Sequence, residues 1–215
     1  MADCPPHETP MAGWGQMLQT FFLEKVKVEN HAKGGASTNS FIDEGHFQKI
    51  EKAIRPGDYL FIQFGHNDQK PRGTKAYGDF QRNLATFAQL AKNKGGYPLF
   101  FTSVQRRHFD ENGKIKHTLG EYPAAMRALG EQLHIPVIDL QSLTKQLYEL
   151  FGVEGSKTLF VIFEPDEHPN YPAGIEDNTH FSQKGALEVA RLVVNEIKRL
   201  DLPIKAYVKN VTSRM

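Results

Sequence analysis

The fold of this chain is decided by one stretch, Asp58-Tyr59-Leu60-Phe61-Ile62-Gln63-Phe64-Gly65-His66-Asn67-Asp68. Its apolar run is nearly continuous, which is typical of a parallel strand that is covered on both faces. The run ends in a glycine and three polar residues, so polar side chains are delivered at the carboxyl edge of a sheet, where open α/β folds bind ligands. Asn67 is therefore a candidate donor to a developing oxyanion, although a simple Asx-turn also explains the same residues.

Strand-like and helix-like segments alternate on both sides of this stretch. Strands are predicted at 24–29, 59–64, 97–102 and 135–140, and helices at 43–54, 77–94, 122–133, 142–151 and 182–200. The alternation predicts an α/β fold with a parallel sheet and helices on both of its faces. Irregular segments at 108–121 and 163–178 interrupt it, in positions where binding loops usually lie. Without an internal repeat or a linker, a single domain over residues 1–215 is expected.

Composition excludes several classes of protein. The chain has 215 residues, 40% of them hydrophobic, and a net charge of +1, so one well-buried domain is expected and no global field attracts nucleic acid or an anionic membrane. The short basic cluster Arg106-Arg107-His108 is interpreted as a solvated loop. Cys4 is the only cysteine, which rules out an intrachain disulfide. No run reaches the roughly 18 apolar residues that a membrane span needs.

A second polar motif stands directly before the last predicted helix, whose N-cap is Ser182. In Asp177-x-x-His180 the carboxylate can accept a hydrogen bond from one imidazole nitrogen and leave the other nitrogen as a general base. On its own this spacing is better explained by an aspartate that caps the helix, with His180 as an incidental neighbour. A third motif, Gly34-Gly35 after the first predicted strand, can bring a bare backbone N–H to the same sheet edge, or can be a flexible turn.

Taken together, these motifs identify a family. Gly13-Trp14-Gly15-Gln16 and the blocks at 30–37, 64–70 and 177–182 occur in an order that resembles the SGNH (GDSL-type) hydrolases, in particular their rhamnogalacturonan acetylesterase branch. The resemblance covers essentially the whole chain. It implies a flavodoxin-like fold, a three-layer αβα sandwich around a parallel sheet.

The resemblance also implies a role for each motif. His180 would be the general base, Asp177 its orienting carboxylate, and Asn67 with Gly35 the oxyanion-hole donors, while His66 would lie at the substrate site. The substrates would be acetyl esters of pectic oligo- or polysaccharide, especially rhamnogalacturonan. No metal or organic cofactor is implied.

The nucleophile is the missing part of this scheme. In the family it is a serine in a Gly-Asp-Ser block at the end of the first strand, shortly before Gly-Trp-Gly-Gln. Residues 1–12 contain neither a serine nor a strand-like pattern, so both the block and the first strand are expected at or upstream of Met1. Ser37, Ser40 and Ser103 do not follow the expected strand and are not assigned. We therefore expect an N-terminally truncated chain that is inactive by itself.

The same reasoning bears on location and on other functions. Residues 1–8 lack the basic and apolar regions of a signal peptide, and only the polysaccharide substrate class favours a secreted or periplasmic protein. One alternative is a carbohydrate-binding pseudo-esterase that contacts sugars through Phe109, His117, His168 and Tyr171. A weaker alternative is a metal-dependent hydrolase that uses His66, Asp68, Asp177 and His180.

Overall fold

The computed structural model of the chain describes residues 2–210. The α-helices in this range are α1 (Trp14–Met17), α2 (Thr38–Asp43), α3 (His46–Ala53), α4 (Gln81–Asn93), α5 (Tyr122–Leu133), α6 (Leu140–Gly155) and α7 (Gln183–Arg199). The strands are β1 (Tyr59–Ile62), β2 (Tyr97–Phe101), β3 (Val137–Ile138), β4 (Phe160–Phe163) and β5 (Ile175–Phe181). Short 3-10 helices cover Pro6–Glu8, Leu18–Phe21, Ser156–Leu159 and Pro203–Tyr207, and a π-helical turn, Ala76–Phe80, precedes α4.

The described chain divides into two compact units. The sheet unit consists of residues 35–105 and 117–145, and the hairpin unit of residues 2–34, 106–116 and 146–210. Each unit is built from segments that are distant in the sequence. The single domain expected over residues 1–215 stays a prediction.

The sheet unit contains a parallel sheet in the order β1-β2-β3. Tyr59 is in register with Tyr97, and Phe100 with Val137. Helix α4 connects β1 to β2, and α5 connects β2 to β3, so both connections are the βαβ crossovers that parallel pairing requires. The carboxyl ends of the strands therefore lie at one edge of the sheet.

Helix α4 and the residue before it contribute an apolar stripe to the core of this unit. Phe80, Leu84 and Phe87 lie at helical spacing, as the sequence predicted, and each is at most 2% exposed. They belong to one apolar cluster with side chains from the sheet and from α5, namely Ile62, Phe100, Ala125, Met126 and Leu129. Burial of this stripe fixes α4 on the sheet and thereby fixes the strand ends that carry the polar motif.

The hairpin unit is organised by the antiparallel pair β4–β5 and by α7. Phe160 and Phe181 form a cross-strand pair whose rings also meet Tyr148, with centroids between 5.1 and 6.5 Å apart. Helix α7 buries the stripe Val189, Ala190, Val193, Val194 and Ile197, and α1 packs against it. Ser182 is the N-cap of α7, as predicted, and accepts a hydrogen bond from the Gly185 N–H at 3.2 Å.

The α/β class with a parallel sheet and helices is confirmed, and most segment predictions are close. The predicted helix at 122–133 has the observed bounds, and the one at 43–54 corresponds to α3, while α2, which ends at Asp43, was not predicted. The strand predicted at 24–29 is wrong. Its backbone bonds a side chain instead of a neighbouring strand: Gln19 accepts from the Val28 N–H at 2.8 Å and donates to the Val26 carbonyl at 2.9 Å. Alternating residues cannot form a strand without a ladder partner.

A second correction concerns the irregular segment predicted at 163–178. Strand β4 was missed, and β5 begins at Ile175, so the loop between them is shorter than expected. Strands β4 and β5 pair with each other as a two-stranded sheet. In the part of the chain that the structure describes, no helix is long and apolar enough to cross a membrane.

Candidate active site

The turn after β1 depends on Gly65. Its φ is +132°, a conformation that side chains rarely adopt, and a β-carbon there would lie 2.5 Å from Oγ of Ser103. The Ser103 hydroxyl is fixed in that place because it donates to the Phe64 carbonyl at 2.8 Å. Glycine at this position therefore permits the turn by which residues 66–68 follow β1 at the sheet edge.

Asp68 anchors this turn from inside the unit. It is 1% exposed, and its Oδ1 accepts from the Thr38 N–H at 2.8 Å, from the Thr38 hydroxyl at 2.6 Å and from the Thr74 hydroxyl at 3.0 Å. Oδ2 accepts from the Gly65 N–H at 3.0 Å. The Tyr122 hydroxyl bonds the carbonyls of Asp68 and Thr74. The carboxylate thus ties the start of α2, the turn after β1 and the following loop together.

Asn67 is held beside the second glycine motif. Its side-chain amide donates to the Ala36 carbonyl at 3.2 Å, and Ala36 directly follows Gly35. Gly35 has φ +78° and no atom within 4 Å of the position of a β-carbon, so backbone conformation rather than lack of space favours glycine there. The two residues predicted as oxyanion donors are therefore brought together within the sheet unit. An amide nitrogen carries two hydrogens, and one of them remains for another acceptor.

Asp177 and His180 lie on β5, not on the turn before α7 where the sequence had placed them. Phe160 pairs with Phe181, but the next residue of β4, Val161, pairs with Asp177, so residues 178–180 form a bulge without partners on β4. Oδ1 of Asp177 accepts from the Thr179 N–H at 2.8 Å and from the His180 N–H at 2.9 Å. The bulge brings the side chains of Asp177 and His180 close together, as the i, i+3 spacing in a turn would.

The two side chains of this pair meet directly. Nδ1 of His180 lies 2.6 Å from Oδ2 of Asp177. Burial alone would raise the pKa of Asp177, but the hydrogen bonds from the His180 ring and from the two backbone N–H groups lower it below its ordinary value. The hydrogen bond to Asp177 raises the pKa of His180 above its ordinary value, and burial offsets this only in part. The His180 side chain is 59% exposed, so much of it is accessible to a reactant.

Several residues that shape these two clusters were missed in the sequence. Thr38, Thr74 and Tyr122 fix Asp68, and none of them stands in a motif that suggests it. Arg107, interpreted as part of a solvated loop, is only 7% exposed, and it bonds Asn178 inside the β5 bulge. No local pattern distinguishes Arg107 from a solvated arginine, because its acceptors lie on segments that are distant in the sequence.

The residues proposed to contact substrate have internal contacts of their own. Tyr171 stacks on Phe163 with centroids 5.8 Å apart and donates its hydroxyl to the Glu8 carbonyl at 2.7 Å. The His168 ring centroid lies 5.1 Å from that of Phe163.

His117, another of these residues, has both ring nitrogens engaged, by the Gly120 carbonyl and the Gln141 side-chain amide, each at 2.8 Å. The Phe109 ring lies against the Arg107 guanidinium. His66 is half-buried at the turn after β1. The contacts of these residues with a sugar stay predictions.

The metal-dependent alternative finds no support in the same geometry. Both carboxylate oxygens of Asp68 are occupied by hydrogen-bond donors. Within residues 2–210, no group of three or more His, Cys, Asp or Glu side chains is arranged to hold a metal ion.

Comparisons with known proteins agree with the motifs. Residues 4–186 match the GDSL-like Lipase/Acylhydrolase family. The chain is 65% identical over 205 residues to the rhamnogalacturonan acetylesterase RhgT of Bacillus subtilis (strain 168), covering 95% of this chain and 88% of that protein. It is 38% identical to the probable rhamnogalacturonan acetylesterase YesY of the same organism, covering 91% of this chain and 88% of that protein.

A solved structure shows the same fold. The crystal structure of the protein YxiM from Bacillus subtilis superposes with a TM-score of 0.81 at 29% identity, covering 94% of this chain and 55% of that chain. The chain therefore spans about half the length of YxiM.

Proposed function

The chain belongs to the GDSL-like lipase/acylhydrolase family, and from this premise we propose that it forms the body of a carbohydrate acetylesterase that removes acetyl groups from rhamnogalacturonan. The observation that carries the chemistry is the hydrogen-bonded pair of Asp177 and His180, 2.6 Å apart. The substrate class is supported by two relatives, one named as a rhamnogalacturonan acetylesterase and one as a probable enzyme of that kind.

In this proposal His180 is the general base. Asp177 accepts from Nδ1 and fixes the tautomer, so Nε2 takes the proton of the nucleophile. The carboxylate also stabilises the imidazolium that forms, because an opposite charge beside the ring favours its protonated form. His180 then returns the proton to the departing sugar oxygen. In the second half-reaction it takes a proton from the water that attacks the acetyl-serine, and it gives this proton to the serine oxygen as the ester bond breaks and acetate leaves.

Gly35 and Asn67 are proposed to stabilise the oxyanion. Attack on the acetyl carbonyl carbon leaves a negative charge on its oxygen, and donors that are already oriented stabilise this charge more than the neutral carbonyl of the ester. The Asn67 amide is oriented by its bond to the Ala36 carbonyl, and Gly35 presents its backbone in a left-handed conformation. Loss of one such donor typically costs about 3–4 kcal/mol of transition-state stabilisation.

The nucleophile is proposed to be a serine that the 215 residues do not contain at the position of the family's Gly-Asp-Ser block. Three other serines have structural hydrogen bonds instead. Ser37 and Ser40 form the capping box of α2, and Ser103 donates to the Phe64 carbonyl. We therefore expect the 215-residue chain by itself to release no acetate by the covalent route.

The test compares this chain with a version that carries an apolar strand and a Gly-Asp-Ser block ahead of residue 1, as read from the coding frame upstream of the Met1 codon. Acetate release from acetylated rhamnogalacturonan oligosaccharide is the measurement. We expect activity only in the longer protein, and a loss of about 100-fold to 1,000-fold on Asn67→Ala. His180→Ala should abolish turnover, whereas His134→Asn, at an exposed left-handed helix end, should not change it.

Full activity of the longer protein after His180→Ala would reject the assignment of the base. If the frame upstream is closed, and the 215-residue chain binds pectic oligosaccharide saturably without releasing acetate, the carbohydrate-binding pseudo-esterase takes the place of the enzyme. The absence of a serine in residues 1–12 is the observation that keeps this second function in view.

A further inference from the structure

The bulge that carries His180 leaves backbone groups that β4 cannot pair. Residues 178–180 have no partners on β4, because the register passes from Phe160–Phe181 directly to Val161–Asp177. Unpaired backbone groups would allow the bulge to take other shapes. Asp177 satisfies the N–H groups of Thr179 and His180. The Asn178 carbonyl, another of these groups, accepts from the backbone N–H of Arg107 at 2.8 Å.

The side chain of Arg107 reaches the same residue from a second direction. Its Nη1 donates to Oδ1 of Asn178 at 2.7 Å. The other edge of the Asn178 amide, Nδ2, donates to a carboxylate oxygen of Glu176 at 3.2 Å. Asn178 is thus held by its carbonyl and by both ends of its side chain, and two of these three bonds come from Arg107.

Arg107 is itself anchored in the interior of the hairpin unit. Nε donates to the Ser156 hydroxyl at 3.0 Å, and Nη2 donates to the Val153 carbonyl. Its hydrogen-bond acceptors are therefore neutral, although a buried guanidinium usually has a carboxylate partner. Burial lowers its pKa, and the charges of Glu154 and Glu176 counter this from a distance. Through its rigid fork of donors, Arg107 connects its own loop to the segment at 153–156 and to Asn178. Lysine cannot reproduce this geometry.

Because the backbone and the guanidinium of Arg107 both bond the residue that starts the bulge, we propose that Arg107 is a positioning residue for His180. It fixes residues 178–180 in the shape in which the His180 ring meets Asp177. This role rests on the proposed function, in which His180 is the base. It acts through Asn178, since none of the bonds of Arg107 reaches His180 itself.

The experiment follows the titration of the His180 imidazole by NMR in the 215-residue chain, with the wild type and three variants. The charged groups that act on this ring include Asp177 and, more weakly, Glu8. Arg107→Lys keeps the charge and loses the fork, so we expect the pKa of His180 to fall most of the way toward about 6.5, the value of a free imidazole. Asn178→Ala removes one of the two links to Arg107 and should shift the pKa in the same direction by less.

The control is Arg199→Lys, a conservative change of an exposed arginine that pairs with Glu196 at the end of α7; it should leave the His180 titration unchanged. The chemical shifts of the other histidines report whether a variant has lost structure in general. If Arg107→Lys does not fold, Asn178→Ala decides the question.

The proposal would be overturned if the Arg107→Lys variant folded and its His180 titrated as in the wild type. If Arg107→Lys does not fold, the same result for Asn178→Ala would overturn it. The titration needs no turnover, so this outcome leaves the esterase assignment intact. Absence of acetate release from the longer protein would instead reject the proposed function. The effect of Arg107 on the His180 titration could still be measured in that case.

Discussion

The hydroxyl of Thr38 lies 2.6 Å from Oδ1 of Asp68, thirty residues further along the chain. Through this contact the first turn of α2 and the turn after β1 share one buried carboxylate. Gly35, which precedes α2, and Asn67, which precedes Asp68, are thereby fixed in relation to each other. The relative position of the two proposed oxyanion donors therefore depends on Asp68, which has no part in the proposed chemistry.

Asp68→Asn should therefore destabilise the protein although it changes few atoms. The carboxylate accepts four hydrogen bonds, whereas an amide has one oxygen and would turn an N–H₂ group toward donors. Since buried donors are left unsatisfied, we expect a loss of about 2–3 kcal/mol in the free energy of unfolding. Urea denaturation measures it. Asp43→Asn, at an exposed position at the end of α2, should stay within about 0.5 kcal/mol; equal effects of the two would refute the anchoring role.

Gly65→Ala should lower the free energy of unfolding more than the same change at another glycine with positive φ. Gly57 has φ +90° and no atom within 4 Å of a β-carbon position, so Gly57→Ala measures backbone strain alone, about 1–3 kcal/mol. At Gly65 the contact with Oγ of Ser103, 2.5 Å, adds to the strain. Removal of that oxygen by Ser103→Ala should relieve the added part, and a double-mutant cycle detects the coupling. Additive effects would show that the contact is unimportant.

The pair of Asp177 and His180 should make stability depend on pH in a defined window. The pKa of His180 is raised, so its contribution is fully present below about pH 6.5, the unfolded value, and is lost as the pH rises through the raised value. The pKa of Asp177 is lowered, so its contribution is present above about pH 4 and is lost as the pH falls through the lowered value.

Asp177→Asn should consequently destabilise the protein more at pH 5.5 than at pH 8.5. Because the imidazole is well exposed, we expect the difference to stay below about 1 kcal/mol. Urea denaturation at the two pH values measures it, with Asp166→Asn as the control, since Asp166 is exposed and its φ of +64° suits asparagine as well. The same loss at both pH values would contradict the pairing.

Ser182→Ala should weaken the start of α7, which begins three residues after His180. The hydroxyl accepts from the Gly185 N–H at 3.2 Å and donates to the Thr158 carbonyl at 2.9 Å. Loss of an N-cap typically costs about 1 kcal/mol, and we expect up to about 2 kcal/mol here because a second bond is lost with it. Thermal unfolding followed by circular dichroism is the measurement. Gln183→Ala, at the first exposed residue of α7, should have little effect; a similar fall in melting temperature would argue against the cap.

Segments with a strong local pattern could be predicted from the sequence. The stripe of α4 and the N-cap of α7 follow from side-chain spacing, and both are present. The strand predicted at 24–29 is absent, because alternation of apolar and charged residues indicates only which face of a strand would be buried. Its backbone needs a partner, and the partner of Val28 is the side chain of Gln19.

The candidate site divides in the same way. The prediction that Asp177 and His180 meet assumed a turn before α7, because residues at i and i+3 of a regular strand point to opposite faces of the sheet. The bulge on β5 that brings them together was not predictable, because it depends on how β5 aligns with β4. Arg107 was misjudged for the same reason: a basic residue in a loop is usually solvated, and only its long-range bond to Asn178 shows otherwise.

The sequence by itself determined the α/β class, the family and the residue types of the chemistry, because these depend on local periodicity and on short motifs. Tertiary structure decided which side chains fix those motifs. Thr38, Thr74 and Tyr122 converge on Asp68 and its loop, and Arg107 converges on the bulge of His180. Contacts of this kind join residues far apart in the chain, and a buried polar group takes whichever partner the fold brings within hydrogen-bond distance.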